Sequence, residues 1–381
     1  MVYYVRKGKV PEFRHTYDSR DNILKEELFG EESFDGPYSL LYHRTEPTRV
    51  ISVSGERKPE SSMGLTENRL HRHIKGYELK RSGNYITGRV DLLVNSKLKI
   101  GMLKPEHSSV NLYRNAYYDE IFFIHEGSGK VTTPFGKLHY RKGDYLYIPK
   151  GTTYHMENGK TDTMLYVQSR ERISIPKRYL NIYGQLKEGT PFYSRDFVIP
   201  EFTETEKLDG DFNVYVEYDN EFIIEKRDRT PFDLAGWDGY LYPFTINVEK
   251  MAPIVGKLHQ PPPVHENFSA SSFMIGAFLP RKFDFHPRSI PISYYHSNID
   301  TDEFLFYSSG NFMSRKGISP ESMTLHIRGL IHGPQPGAVE NAIGKESTDE
   351  VAIMVEAYEP LKLTQKAVSM DDPDYMKSWV S

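Results

Sequence analysis

Three residues in the second half of the chain could together hold a metal ion. His296 precedes Glu303 in the segment PISYYHSNIDTDEFLFYSSG, and His332 follows in LHIRGLIHGPQPG. Two imidazoles and one carboxylate on one side of an ion leave adjacent coordination positions open, which is the donor set of the mononuclear non-haem Fe(II) oxygenases. Zn²⁺ accepts the same donors, so the residue types alone do not fix the metal.

The spacing of His296 and Glu303 requires a bend between them. On one uninterrupted strand the two side chains face opposite sides, because their separation is odd. The intervening Ser297–Asp302 (SNIDTD) is rich in turn formers, which favours a bend or bulge that corrects the parity. A helix would also align the two residues, but the aromatic and turn-rich composition disfavours one.

The segment containing Glu303 has a second copy earlier in the chain. Asp119–Gly127 reads DEIFFIHEG and Asp302–Gly310 reads DEFLFYSSG, 183 residues apart. His155 follows the first copy as His332 follows the second, but only the second copy also has a histidine just before it. The repeat indicates a tandem duplication in which one half kept a His–Glu–His site.

Composition narrows the classes of protein that fit. The chain lacks cysteine, so disulfides and thiolate metal sites are excluded. A net charge of −4 makes nucleic acid or an anionic membrane an unfavoured partner. The sequence shows neither the apolar core of a signal peptide nor an apolar run of roughly 20 residues. We therefore expect a soluble, cytoplasmic protein.

Most of the chain reads as short β-strands separated by turn residues. This pattern predicts an all-β fold of two antiparallel sandwich or jelly-roll barrel domains with few short helices. Asn22–Phe29 (NILKEELF) is the segment for which we predict a short helix. The predicted strands are Ile121–His125, Lys130–Thr133, Lys137–Tyr140, Tyr145–Ile148, Met164–Gln168, Ser272–Leu279, Phe304–Tyr307, Ser322–Ile327 and Val351–Val355.

A length of 381 residues predicts two domains. The polar stretch Glu217–Thr230 (EYDNEFIIEKRDRT) is typical of a linker, so we place a metal-free domain at 1–225 and a metal-binding domain at 226–381. The polar tail after Pro360 is expected to wrap onto a neighbouring domain or subunit.

The motifs around both copies resemble those of cupins. The pattern H-x-N-x4-E-x6-G, from His296 to Gly310, resembles the first cupin motif, and Gly329-Leu-Ile-His332 resembles the ligand end of the second. In the first copy, Gly143-x5-Pro149-x-Gly151 resembles the second motif and leads to His155. Tyr113 and Asn115 stand where cupin histidines would be, which implies that the N-terminal half binds no metal.

Together with YYHSNIDTDE, LHIRGLIHGPQPGAVE and KLHQPPPVHENF, these motifs make nearly the whole chain similar to homogentisate 1,2-dioxygenases of the shorter prokaryotic form. The resemblance implies a bicupin with Fe(II) on His296, Glu303 and His332. It also implies ring opening of homogentisate (2,5-dihydroxyphenylacetate) by O₂ to maleylacetoacetate, a step of tyrosine and phenylalanine catabolism, in a trimer-based homo-oligomer.

The resemblance also assigns roles to residues around the metal. His265 in PPPVHENF matches the family's proposed base, with His259 as the alternative. His326 matches a histidine near the iron and is counted among the substrate-binding residues. Tyr294 and Tyr295 are expected to shape the pocket.

Two further positions bear on substrate binding. Arg315, followed by Lys316, is a candidate partner for the substrate carboxylate. Phe312 stands where the family usually has a tyrosine that contacts the substrate. The missing hydroxyl keeps gentisate or another substituted hydroquinone open as the substrate. A non-catalytic bicupin binding protein is the alternative from a different functional class.

Overall fold

The computed structural model describes residues 3–13, 17, 22–58, 66–67, 69–219, 221–258 and 265–380. These ranges are dominated by β-strands, as the sequence predicted, and contain two short α-helices, α1 at Ala338–Ala342 and α2 at Gln365–Ser369. Within them no helix has the length and apolar character needed to cross a bilayer. His259 lies outside the described residues.

The strands are numbered in chain order. They are β1 Val5–Gly8, β2 Lys25–Gly30, β3 Tyr38–His43, β4 Ser52–Arg57, β5 Arg72–Lys75, β6 Arg89–Val94, β7 Leu98–Leu103, β8 Leu112–Asn115, β9 Asp119–Glu126, β10 Ser128–Thr133, β11 Gly136–Arg141, β12 Asp144–Ile148, β13 Thr153–Glu157, β14 Thr163–Ser169, β15 Asp209–Tyr218, β16 Glu221–Arg229, β17 Leu234–Gly239, β18 Phe244–Asn247, β19 Glu266–Ser269, β20 Phe273–Phe278, β21 Arg281–Lys282, β22 Asp302–Ser309, β23 Ser322–His326, β24 Ser347–Thr348, β25 Val351–Ala357 and β26 Lys362–Leu363.

Two seven-stranded sheets form the N-terminal part, with strand orders β11-β10-β13-β8-β15-β16-β4 and β18-β12-β9-β14-β7-β6-β26. Strand β11 alternates strictly between buried and exposed residues, as expected of a strand with one face on the core. Strand β9 is buried along seven of its eight residues, because it lies inside the second sheet between β12 and β14.

Two local predictions are wrong. The expected helix at Asn22–Phe29 is strand β2, which pairs antiparallel with β3, so cross-strand pairing overrides the helical propensity of Lys-Glu-Glu-Leu. The expected linker at Glu217–Thr230 falls in the β15–β16 hairpin, where Phe222 is buried against the core. The carboxylate of Glu217 is also buried, where it pairs with Lys58, so the polar composition of this stretch belongs to paired strands.

The C-terminal part is built on a six-stranded sheet of order β19-β20-β25-β22-β23-β5. Its last strand, β5, comes from the N-terminal part of the chain and pairs with β23. In return, β26 in the C-terminal tail pairs with β6. Strands β17 and β18 pair with β1, β3 and β12, all N-terminal strands. The division at residue 225 stays a prediction.

The two copies of the repeat lie against each other. Phe123 and Phe306, which occupy the same position in the repeat, have ring centroids 6.3 Å apart. The next such pair, His125 and Ser308, is 183 residues apart in sequence and joins Nδ1 to Oγ at 2.9 Å. Contact between equivalent residues indicates an approximate twofold axis through β9 and β22. The largest apolar cluster of the molecule runs across this axis.

Candidate metal centre and substrate cavity

His296, Glu303 and His332 come from three separate segments. Glu303 lies near the start of β22, while His296 and His332 form an isolated antiparallel bridge, with backbone N···O distances of 2.9 and 3.0 Å. The residues between His296 and β22 are not in a strand. The odd separation of His296 and Glu303 therefore does not place their side chains on opposite faces. The turn-rich segment between them is therefore what allows both side chains to converge.

The three side chains form a compact donor set. One ligand atom from each lies within 4.8 Å of the others. His296 Nε2 is 3.5 Å from Glu303 Oε2, and His332 Nε2 is 3.3 Å from Glu303 Oε1. Both ring nitrogens of His332 are buried and without a hydrogen-bond partner among the described residues. A buried imidazole in that condition fits a metal ligand, so these residues suit a divalent cation.

The electrostatics of this cluster favour an ionised carboxylate. Burial by itself raises the pKa of Glu303, but the neighbouring imidazoles of His296, His326 and His332 outweigh burial and hold that pKa well below its usual range. The hydrogen bond to Glu303 raises the pKa of His296. An anionic carboxylate between imidazoles attracts a cation.

His326 supports Glu303 from behind. It is fully buried, and its Nδ1 lies 2.7 Å from Glu303 Oε1. Its Nε2 lies 3.0 Å from the hydroxyl of Tyr375, and its ring stacks on His332 with centroids 4.4 Å apart. Burial lowers the pKa of His326 to about 3, so the ring is neutral. His326 is not among the described residues that line the adjacent cavity, and its expected contact with the substrate stays a prediction.

A cavity of about 450 Å³ opens on the other side of the cluster, with His296 and Glu303 in its wall. Its floor is the face of the six-stranded sheet, and Tyr307 and Phe312 pack edge to face with centroids 4.8 Å apart. This size falls within the range of small-molecule sites. The other residues that contribute to the apolar lining are Ile254, Val255, Met274, Phe278, Pro291, Ile292, Leu305 and Ala352.

Most of the other predicted site residues line this cavity. His265, Tyr294, Phe312 and Arg315 all contribute to its wall. Tyr295 does not; it is 58 % exposed and packs near Gly333. Arg315 donates from Nη1 to the Gly333 carbonyl at 2.6 Å, while its Nε is buried without a partner among the described residues.

Glu356 is a cavity residue that the sequence reasoning missed. It lies directly across from Glu303 on β25, and its Oε2 is buried without a partner in the described part of the chain. Burial, and then the charge of Glu303, raises the pKa of Glu356 to about 7. The repeat held a signal for it, because Gln168 lies across from Glu120 in the same way.

His71 is a second residue that the sequence reasoning missed. It immediately precedes β5, and its ring centroid lies 5.4 Å from that of His332 and 5.2 Å from that of His326. It reaches the metal centre only because β5 joins the C-terminal sheet. A sequence separation of more than 200 residues gives no local signal of such a contact.

In the first copy of the repeat, the equivalent place is filled by an arginine. Tyr113 and Tyr154 pair across β8 and β13 as His296 and His332 pair in the second copy. The Arg89 guanidinium contacts Glu120, lies 4.3 Å from the centre of the Tyr113 ring, and donates to the Tyr154 hydroxyl at 2.6 Å. The only His–carboxylate cluster with metal-ligand spacing in the described ranges is the C-terminal one.

Tyr154, rather than His155, is thus the counterpart of His332. Each lies six residues after the residue paired with the glutamate, Ile148 in one copy and His326 in the other. The His155 ring points away from the site, with Nε2 2.7 Å from the Ser109 carbonyl oxygen. Because alternate strand residues face opposite sides, an offset of one residue is enough to direct the ring away.

Comparison with known proteins agrees with this architecture. Residues 81–248 match the family model for the N-terminal part of homogentisate 1,2-dioxygenase, and residues 246–381 match the model for its C-terminal part. Among solved structures, a cupin 2 conserved barrel domain protein from Leptotrichia buccalis covers 79 % of this chain and all of its own, at 9 % identity and a TM-score of 0.33. The strand topology described above, rather than that low score, establishes the fold.

Relatives in sequence extend over most of the chain. "Putative dioxygenase SSO1533" of Saccharolobus solfataricus is 44 % identical over 100 % of this chain and 99 % of its own length. Homogentisate 1,2-dioxygenase of Bradyrhizobium diazoefficiens is 24 % identical over 70 % of this chain and 62 % of its own, and that of Caenorhabditis elegans is 25 % identical over 70 % and 63 %. This chain therefore belongs to the homogentisate 1,2-dioxygenase family.

Proposed function

We propose that this protein is an Fe(II)-dependent dioxygenase that opens the ring of homogentisate to maleylacetoacetate. The observation that carries the proposal is the buried His332. Its two ring nitrogens lack hydrogen-bond partners in the described structure, and the ring lies close to His296 and Glu303, which line the cavity. Family membership gives the reaction class, and the donor set gives the ligands of the metal.

The donor set suits iron of the oxygenase type. His296, Glu303 and His332 supply two nitrogens and one carboxylate oxygen, without a thiolate. When bound there, Fe(II) would supply adjacent coordination positions for substrate and dioxygen and the electrons that activate the dioxygen. The chain's own residues bind and orient the aromatic ring and exclude water.

The cavity fits a flat aromatic acid. Its apolar floor provides contact surface for a substituted benzene ring, with Phe312 edge-on to Tyr307. The metal ligands lie at one end, so the ring is held with its hydroxyl toward them. A volume of about 450 Å³ is sufficient for homogentisate.

His265 is proposed to hold the proton of the ring hydroxyl. It is buried in the cavity wall, with its ring 6.1 Å from that of Phe278. An imidazole ordinarily titrates near neutral pH, so it can accept a phenolic proton that is acidified by a nearby cation. His259 remains the alternative base.

Arg315 is proposed to bind the substrate carboxylate. Its guanidinium lies in the cavity wall, and its buried Nε has no protein partner among the described residues. A carboxylate oxygen placed there would give the charge-assisted hydrogen bond that the protein leaves unmade. Arg281, the other arginine of the wall, already pairs with Glu350 at 3.2 Å.

Phe312 favours a second candidate substrate within the same reaction class. A phenylalanine cannot donate to a ring hydroxyl, so tight recognition of homogentisate loses one hydrogen bond. Gentisate, or another substituted hydroquinone that depends less on this contact, would use the same metal ligands and cavity. A non-catalytic bicupin would bind such a ring without consuming oxygen.

Oxygen uptake on a panel of hydroquinones tests these alternatives. The protein is loaded with Fe(II) and assayed with homogentisate, gentisate and unsubstituted hydroquinone while its iron content is measured. We expect iron binding and fastest oxygen consumption with homogentisate. Clear turnover of gentisate without turnover of homogentisate moves the assignment to the second substrate. Ring binding without oxygen uptake by iron-loaded protein indicates a binding protein.

The trimer-based assembly and the cytoplasmic location stay predictions.

A further inference from the structure

The last turn of the chain packs behind the metal centre. Tyr375–Trp379 forms a short 3-10 turn in the C-terminal tail. Trp379 donates from Nε1 to the carbonyl of Gly333, the residue next to His332, at 3.2 Å. Gln335 donates from Nε2 to Ser378 Oγ at 2.6 Å. These contacts fix the turn against the segment that carries His332.

Tyr375 is the residue of this turn that connects with a metal ligand. Its hydroxyl lies 3.0 Å from His326 Nε2, and His326 Nδ1 lies 2.7 Å from Glu303 Oε1. The Tyr375 side chain is buried, and its ring stacks with that of His326. The tail therefore reaches Glu303 through one intervening imidazole.

Glu303, His326 and Tyr375 form a hydrogen-bonded series. The carboxylate lies against His326 Nδ1, and the phenol hydroxyl lies against His326 Nε2, so both ring nitrogens have a partner. Glu303 and Tyr375 thus hold the imidazole from its two sides.

The two oxygens of Glu303 have different neighbours. Oε1 lies 2.7 Å from His326 Nδ1 and 3.3 Å from His332 Nε2, whereas Oε2 lies 3.5 Å from His296 Nε2. Loss of the Tyr375 hydroxyl would leave the buried His326 Nε2 without this partner. The imidazole would then be held on one side only, and the carboxylate that it contacts would lose a fixed support.

We propose that Tyr375 is a positioning residue of the metal centre, which holds the His326 ring at Nε2 and thereby fixes the orientation of the Glu303 carboxylate. The proposal rests on the metal site of the proposed function. It gives the C-terminal tail a part in holding the metal site.

The first copy of the repeat supports this assignment. There, Ile148 occupies the place of His326, paired with Glu120 as His326 is paired with Glu303. Glu120 is instead held by the Arg89 guanidinium, the Tyr154 hydroxyl at 2.8 Å and Gln168 Nε2 at 2.8 Å. In the described structure, a tyrosine–histidine pair therefore supports Glu303, which lies beside His296 and His332, and no such pair supports Glu120.

The test is the affinity of the folded, full-length protein for Co²⁺, measured by competition with a chelator and by the visible ligand-field spectrum. Tyr375→Phe removes the hydroxyl and keeps the ring. We expect it to weaken Co²⁺ binding by about 10–100-fold, the usual effect of losing an outer partner of a metal ligand, and to alter the spectrum. Tyr140→Phe, which removes a 2.6 Å hydrogen bond to Asp162 far from the site, should leave both unchanged.

A second pair of variants separates an effect through His326 from simple packing. In His326→Asn, the shorter amide can donate to Glu303 but does not extend to the Tyr375 hydroxyl, so adding Tyr375→Phe should weaken Co²⁺ binding no further. Unchanged affinity and spectrum in Tyr375→Phe alone overturn the proposal, as does an equal loss in both backgrounds. Failure of the unsubstituted protein to bind Co²⁺ overturns the metal site itself, which is a different result.

Discussion

At the scale of single residues, the cavity is defined by groups that lack a protein partner in the described structure. His332 has two such nitrogens, and Arg315 Nε and Glu356 Oε2 each add one. Buried polar groups are normally satisfied, so several of them around one space point to an occupant with complementary charges. A cation beside Glu303 and an anionic aromatic acid beside Arg315 would together provide these complementary charges.

His265 gives the first prediction at this scale. Replacing it with alanine should lower turnover by about 10²–10⁴-fold, the usual effect of losing a general base, because the proton of the ring hydroxyl loses its acceptor. Iron content should not change, since His265 is not a ligand. Steady-state oxygen uptake with parallel iron analysis checks this. Unchanged turnover would remove His265 from the mechanism.

Phe312 gives the second prediction at the scale of single residues. Phe312→Tyr adds a hydroxyl to the cavity wall, where it can donate to a ring oxygen of the substrate. A hydrogen bond of this kind contributes about 1–3 kcal/mol when its partner is otherwise unpaired, so the apparent KM for homogentisate should fall. Tyr140→Phe, in β11 of an N-terminal sheet, serves as the control and should leave the KM unchanged. A higher KM in Phe312→Tyr would show that the wall cannot accommodate the hydroxyl.

At the scale of structural elements, β9 and β22 show how one strand supports two kinds of centre. Both carry a buried glutamate one residue from their start, and both end at a glycine with positive φ, 98° at Gly127 and 89° at Gly310. The difference lies in what faces the glutamate: two histidines in one copy, and two tyrosines with Arg89 in the other.

The Arg89–Glu120 pair gives a prediction about stability. Both side chains are buried, so Arg89→Ala leaves an unpaired carboxylate and should cost about 3–5 kcal/mol in the free energy of unfolding. Arg141→Ala breaks an exposed pair with Glu249 and should cost less than about 1 kcal/mol. Urea denaturation of both variants provides the comparison. Equal, small losses would show that the buried pair contributes little.

A buried histidine at the end of β3 makes the free energy of unfolding depend on pH. His43 lies 2.7 Å from both Asp233 and Glu27. Burial lowers its pKa, but the two carboxylates outweigh burial and raise it to about 9. Because the folded pKa exceeds the unfolded value of about 6.5, this stabilisation is complete below that value and is lost as the pH rises through about 9.

The prediction is that His43→Gln loses about 1–3 kcal/mol in the free energy of unfolding at pH 6, and that this loss shrinks toward pH 10. Taking the difference from the unsubstituted protein removes the contributions of other titrating groups. Urea denaturation at several pH values measures it. A loss that is constant or grows at high pH contradicts the assignment of a protonated His43.

The three residues of the candidate metal centre could be predicted from the sequence because they carry local signals. His296, Glu303 and His332 stand in recognisable motifs, and the repeat marked Tyr113 as a replaced position. Arg89 escaped prediction because it lies on a separate strand, outside either motif. The mistaken helix at Asn22–Phe29 has a similar cause, since the pairing of β2 with β3 depends on a partner that the local sequence does not show.

At the scale of the whole molecule, the two halves are interlocked. β5 completes the C-terminal sheet, and β26 pairs with β6 in an N-terminal sheet. The tail after Pro360, which was expected to wrap onto a neighbouring domain or subunit, thus pairs with a strand of the N-terminal part of the chain. The exchange of β5 could not be read from sequence, because nothing in Arg72–Lys75 specifies a partner strand some 250 residues away. It nevertheless brings His71 to the metal centre.

The central claim is that one metal centre, in the C-terminal half, carries out the reaction. Its most direct test is iron content and oxygen consumed per homogentisate, measured side by side for the unsubstituted protein and Glu303→Ala. We predict one iron per chain and one dioxygen per homogentisate for the former, and neither iron nor uptake for a folded Glu303→Ala. Retention of iron and oxygen uptake by Glu303→Ala, or two irons per chain in the unsubstituted protein, would contradict the account.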